Sequence, residues 1–211
     1  MLTMSWVAEP HTHYFTEAFT KLGGKVENAN FPENTSDFNS YITNAVNAGA
    51  EVIFAPTSTS YAQLIVEQAA AKGVSATIMA GDTWDSNQIL SAAKGKKGDI
   101  QVTTFSQEGG NADFEGSEQN LTDNGGDSNI AAVSAMGYDA YFVALEALKA
   151  AGSTDRAKVT EALWKVSTTG VTGAIAFDDV NGDAIRTTAY IKKVNTTTGL
   201  WDFVKEQGVA K

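Results

Sequence analysis

An α/β fold, a parallel sheet with helices on both faces, is what this sequence predicts, and three observations point to it. Apolar runs of strand length, such as Glu51–Ala55 (EVIFA) and Ala76–Ala80 (ATIMA), alternate with stretches whose apolar residues recur at helical spacing. Gly, Pro or a capping hydroxyl marks the change from one to the other. The alternation holds through the first two-thirds of the chain, which is the rhythm of successive βαβ units.

In order, Tyr14, Phe15, Phe19 and Leu22 recur at helical spacing, and Gly23-Gly24 ends that helix. Lys25–Phe31 reads as a short strand. Thr35 or Ser36 caps a second helix that carries Phe38, Ile42, Ala45 and Val46 on one face and ends at Gly49. EVIFA is a buried strand stopped by Pro56, and the helix after it runs through Leu64, Ile65, Gln68 and Ala69 to Gly73. ATIMA is the next strand, after which Asp85 or Ser86 caps a short helix through Ile89 and Leu90. Ile100–Phe105 closes the series. From Ser106 to Asn129 the sequence turns rich in Gly, Asn and Asp, which predicts irregular surface with one weak helix around Phe114–Leu121. Ile130–Ala151 is a long helix and Ala157–Trp164 a shorter one. The end is β-rich: Gly173–Phe177, Arg186–Val194 and Leu200–Val204, the last two a hairpin across Asn195–Gly199.

The composition removes several function classes. The 211 residues hold 25 acidic and 15 basic side chains, a net charge of −10, which is the wrong balance for gripping a nucleic-acid backbone. No apolar run approaches the roughly 20 residues that span a bilayer. Cysteine is absent, so thiol catalysis, thiolate zinc sites and disulfides are all excluded. Residues 1–10 (MLTMSWVAEP) show neither the basic start nor the apolar stretch of a secretory signal.

Few residues suggest bond-making chemistry. His11 and His13, with Glu9 nearby, offer two imidazoles to a metal only if they share a strand face; at a helix start they diverge. Asp179-Val180-Asn181-Gly182-Asp183 copies the opening of a calcium loop, but Ala184 and Tyr190 stand where Gly and Glu are needed, and a tight turn explains the same residues. No phosphate loop, dinucleotide fingerprint, nucleophile elbow or histidine–carboxylate arrangement is present. The reading is of a protein that is not an enzyme, with no catalytic residue, cofactor or metal.

Polar residues instead gather where two strands end, the edge at which open parallel sheets bind ligands. After EVIFA comes Pro56-Thr57-Ser58-Thr59-Ser60-Tyr61, and after ATIMA comes Gly81-Asp82-Thr83-Trp84-Asp85-Ser86. The two loops read equally as one wall of a polar cleft or as a set of helix caps by Ser58, Ser60, Asp82 or Asp85.

Five stretches, in order, resemble a known family. They are FTKLGGKV (19–26), DFNSYITNAVNAGAEVIFAP (37–56), LIVEQAAAKGVSATIMAGDTWDS (64–86), AMGYDAYFVALEALKAAGST (135–154) and VTGAIAFDDVNGDA (171–184). Together they resemble the type I periplasmic solute-binding proteins, specifically the branched-chain amino-acid (Leu/Ile/Val) receptors of ABC importers. The resemblance implies two α/β lobes joined by crossovers and closing on a small ligand. Residues 1–104 and 186–211 would form a nearly complete second lobe, and residues 105–185 a partial, mostly helical first lobe. Thr103–Phe105 and Gly182–Thr188 would be crossovers, and the N-terminal part of the first lobe would be lacking. Leu2–Val7 would stand in for the strand that opens the second lobe.

The resemblance also implies site residues. Asp82 matches the acidic residue that receives the ligand's α-ammonium. Ser58 stands where an aromatic ring often lines the pocket, which suggests a more polar or larger ligand, and Thr59 adds a hydroxyl. Trp84 covers the ligand or packs under its loop; Tyr138, in GYDA, faces the cleft or packs on its helix. The function implied is the substrate-binding component of an ABC-type amino-acid importer, periplasmic or extracellular and attached to the cell surface. Its partners would be a small amino-acid-like ligand and a membrane permease, with no nucleic acid, and with self-association through the incomplete lobe. A sensory domain of the same fold, or a remnant or engineered lobe without ligand, are the alternatives.

Overall fold

The computed structural model describes residues 2–6, 11–105, 112–125, 131–178 and 180–208. The elements are β1 (Leu2–Trp6), α1 (His11–Lys21), β2 (Lys25–Ala29), α2 (Asn39–Asn47), β3 (Val52–Phe54), α3 (Thr59–Ala71), β4 (Thr77–Ala80), a 3-10 turn (Asp82–Trp84), α4 (Asn87–Ala93) and β5 (Asp99–Thr104). They continue with α5 (Ala112–Asp123), α6 (Ala131–Ala151), α7 (Arg156–Leu163), β6 (Ser167–Gly170), β7 (Gly173–Ala176), β8 (Thr188–Asn195) and β9 (Leu200–Gly208). The chain packs as two units: residues 1–104 with 191–205, and residues 105–190 with 206–211.

A seven-stranded sheet of order β2-β1-β3-β4-β5-β8-β9 organises the first unit. Its first five strands pair in parallel, and β1 lies inside the sheet, with Thr3 opposite both Val26 and Val52. Leu2–Trp6 thus fills the place expected of an opening strand. The core follows from the helical spacing: Phe38, Ile42 and Ala45 of the α2 segment, Ile65 and Val66 of α3, and Ile89 of α4 are buried against Ile53, Ile78 and Val102 of the sheet. Each such side chain contributes roughly 1.5–3 kcal/mol of apolar burial.

Neither Thr35 nor Ser36 caps α2. Phe38 holds the capping position, wholly buried, with its ring 5.0 Å from Phe31 and 6.1 Å from Tyr61. Its N–H donates to Gln68 Oε1 (2.7 Å), while Gln68 Nε2 donates to the Ser36 carbonyl (2.8 Å). A side chain of α3 therefore satisfies the helix entry, because packing of the aromatic ring decides where the helix starts. At α4 the predicted hydroxyl does act as a cap, Ser86 Oγ accepting from Ile89 N at 3.4 Å.

At the other edge of the strands, Asp99 takes bonds from Thr77 Oγ1 (2.9 Å) and Gln101 Nε2 (3.3 Å), and lies 3.1 Å from Lys193 Nζ. Burial pushes its carboxyl up, but the bonds from Lys193, Thr77 and Gln101 together outweigh this and hold it below its ordinary value. A depressed folded-state pKa stabilises above the unfolded value, about 3.9. The contribution is lost as pH falls through the lower folded value. Lys193→Met should therefore cost about 0–1 kcal/mol at pH 6. Thermal melts should show wild type and variant converging below about pH 4; a gap that persists in acid would assign the loss to packing instead.

In the second unit α6 packs on α7 and on the antiparallel hairpin β6–β7. The small core holds Val143, Ala147, Val166 and Ile175. Met136, Tyr141 and Phe142 of α6 are exposed. Strand β6 was not foreseen, since its sequence STTG shows no apolar alternation, and the weak helix expected around Phe114–Leu121 forms as α5. What fastens the hairpin is Asp139, which is 5% exposed. It accepts from the N–H groups of Val171 and Thr172 (2.8 Å each) and from Thr172 Oγ1 (2.5 Å). A Cβ on Gly170 would run into this carboxylate, which is why glycine ends the strand. Arg186 then donates to the Thr172 carbonyl (2.7 Å) and lies 5.2 Å over the Phe105 ring.

Candidate functional site

Because β3 and β4 are parallel neighbours, the loops that follow them leave from the same edge of the sheet. Hydroxyl groups lace the two loops together. Thr59 Oγ1 donates to the Thr83 carbonyl (2.8 Å), Thr83 Oγ1 to the Thr57 carbonyl (2.9 Å), and Trp84 Nε1 to the same carbonyl (3.1 Å). Each bond nets about 1 kcal/mol. Together they make one surface out of two loops.

Ser58, Thr59, Asp82 and Trp84 all belong to this surface. Ser58 is exposed and precedes α3 in extended backbone, but makes no capping bond; its Oγ lies 3.1 Å from Ser60 Oγ. Thr59 is half-buried and, besides its bond to Thr83, retains an acceptor oxygen. Asp82 opens the 3-10 turn, and Gly81 rather than Asp82 is the capping residue. As a residue Asp82 is half-buried, and its carboxylate has no hydrogen-bond or ion-pair partner among the described residues.

Of the two readings of Trp84, cover over a ligand or packing under its loop, the structure shows the packing one. Its ring is wholly buried in the core cluster, and its N–H is spent on Thr57, so in this structure the indole packs under the loop and offers no face to a ligand. An aromatic side chain with an internal acceptor gains more from the core than from water. Tyr138 belongs to the other unit. There it is half-buried, with its ring 4.9 Å from Phe142, and lines a cavity of about 330 Å³ with Phe142, Glu146 and Thr168.

The sequence reading missed an ion pair beside these loops. Asp85, directly after Trp84, is fully buried and lies 2.8 Å from Lys192 Nζ, itself 1% exposed. Thr104 Oγ1 donates to the second Asp85 oxygen at 2.7 Å, and Lys192 Nζ stands 5.4 Å from the Trp201 ring centre. One signal was available. In a strand, Lys192 shares a face with Val194, which belongs to the core, so a lysine there needs an internal anion.

The remaining motifs resolve into local structure. His11 opens α1, and His13, two residues into the helix, is exposed. Asp179 lies outside the described residues; around it, Asp178 Oδ1 accepts from Val180 N (2.7 Å) and Asn181 N (3.0 Å), as in a tight turn. These backbone N–H groups, Asn181 first, hold the Asp178 carboxyl below its usual range. Among the described residues, no group of three or more His, Cys, Asp or Glu could hold a metal ion, and no helix is long and apolar enough to cross a membrane.

Comparison with known proteins agrees with the fold. A leucine binding protein of Thermotoga maritima is 27% identical, with a TM-score of 0.83 over 97% of this chain and 60% of that one. The substrate binding protein of a branched-chain amino acid transporter of Streptococcus pneumoniae, solved with isoleucine, is 19% identical with a TM-score of 0.77, covering 99% of this chain and 59% of that one. A solute binding protein of an ABC transporter from R. palustris, solved with benzoate, is 15% identical with a TM-score of 0.81, covering 100% and 59%. The last two likenesses are of fold alone. The chain spans about 60% of the length of these proteins. No curated protein sequence matches significantly. The profile of one family, described as periplasmic binding protein, matches residues 6–199. With nearly the whole chain matched and the sheet order and strand-end loops as described, the chain belongs to the periplasmic binding protein family.

Proposed function

We propose that this chain is a solute-binding component of an ABC importer, or part of one, and that its solute is a small molecule of the amino-acid class, bound without any bond being made or broken. The observation that carries this reading is Asp82, a half-buried residue in a loop laced to the loop of Ser58 and Thr59, whose carboxylate has no partner among the described residues. A carboxylate enclosed with a ligand would be costly without a counter-charge, and a ligand ammonium would supply that charge. Likeness to the leucine binding protein of Thermotoga maritima supports the amino-acid class. A ligand with only a carboxylate, such as the benzoate of the R. palustris protein, would meet repulsion at Asp82. On this reading residues 1–104 and 186–211 are the family's second lobe and residues 105–185 part of its first. The partner is a membrane permease, and the location periplasmic or extracellular. A role for Tyr138 rests on the resemblance alone.

The test is a two-dimensional NMR titration of the wild type and of Asp82→Asn with L-leucine, L-isoleucine and benzoate. The amino acids should shift the amides of Ser58, Thr59, Asp82 and Thr83. Asp82→Asn should weaken their binding by roughly 2–5 kcal/mol. Equal affinities of the two proteins would remove the ammonium contact, and a response to benzoate alone would replace the amino-acid reading with an anionic aromatic one.

A further inference from the structure

We propose that Lys192 is a positioning residue for the ligand loop: through Asp85 it sets where Asp82 stands. This rests on the functional reading of Asp82 given above. The loop from Gly81 to Ser86 is fastened at two consecutive residues. Trp84 is bound to Thr57, in the loop after β3, and Asp85 to Thr104 at the end of β5 and to Lys192 on β8. Asp82 lies just before these two fastenings, within the same single 3-10 turn, so it has little freedom of its own.

A buried ion pair is an expensive way to fill a core. An apolar pair of similar volume packs as well or better, so stability does not explain why charge is used here. A buried ion pair backed by a charged hydrogen bond differs from an apolar contact in fixing the position of the carboxylate. At 2.8 Å from Nζ and 2.7 Å from Oγ1, the two Asp85 oxygens are placed by two different strands. The arrangement also places the Lys192 charge against Asp85, leaving Asp82 as the open anion of the loop. Binding sites gain when residues that touch the ligand are held by a second set that does not.

The experiment uses the double variant Asp85→Asn/Lys192→Met, which removes the tether without leaving a buried charge unpaired. Hydrogen exchange is read at Trp84, Asp85 and Ser86, whose N–H groups donate to the carbonyls of Gly81, Asp82 and Trp84. Exchange there should accelerate by about 10-fold or more, while the β3 and β4 amides keep their protection. NMR titration with L-leucine should show at least about 10-fold weaker binding in a protein that keeps most of the wild type's stability. Thr104→Val, which removes one fastening and leaves the charges paired, should give the same pattern at about 2- to 5-fold, and decides the matter if the double variant does not fold. Loop amides as protected as in wild type would overturn the proposal, as would a loosened loop with unchanged leucine affinity. Leucine binding absent from the wild type would overturn the functional reading instead, and the exchange comparison alone would then decide the positioning role.

Discussion

Lys192→Met by itself should destabilise the protein by about 3–5 kcal/mol, more than any surface substitution. The substitution takes the Lys192 counter-charge away from an Asp85 carboxylate that has zero exposure. Asp85→Ala should cost a similar amount for the mirror reason, the loss of the counter-charge to a lysine ammonium buried at the core face of β8. Removing both charges should return most of the loss, because the desolvation cost disappears with the attraction. A double-mutant cycle by urea denaturation, followed through the first unit, measures this coupling. Single-variant losses below about 1 kcal/mol would mean that water reaches the pair and that it behaves as a surface contact.

Trp84→Ala should cost about 3–5 kcal/mol, the range for deleting a large aromatic from a core. The ring touches none of the loops' outer surface and sits in the cluster that joins α3, α4 and the sheet. Trp84→Phe separates burial from hydrogen bonding. It keeps most of the apolar volume and removes the N–H, and the Thr57 carbonyl stays satisfied by Thr83 Oγ1 at 2.9 Å. The cost should then be about 1 kcal/mol. If the phenylalanine and alanine variants lost the same amount, the bond to Thr57 and not the ring would be the anchor.

Much of the fold was legible because its signals are local. The helix faces of α2 and α3 and the strands β3 and β4 read directly from apolar spacing and from the glycines after each helix. Where this failed, a distant residue had taken over a local task. Gln68 occupies the role that Thr35 or Ser36 would have filled at α2, and β6 exists because Asp139 and β7 hold it, not because STTG favours a strand.

For the candidate site, the sequence by itself determined that hydroxyls and a carboxylate follow two adjacent parallel strands. Strand ends and the residues just after them are neighbours along the chain. It could not determine what each of those residues faces. Trp84 and Asp82 are two positions apart in one turn, yet one ring is sealed in the core and one carboxylate stands open. That division came from Thr57 on the loop after β3, and the fate of Asp85 from Thr104 and Lys192 on two other strands. A side chain's direction inside a short turn depends on which partner across the sheet can satisfy its polar atoms, and only the folded sheet brings those partners within reach.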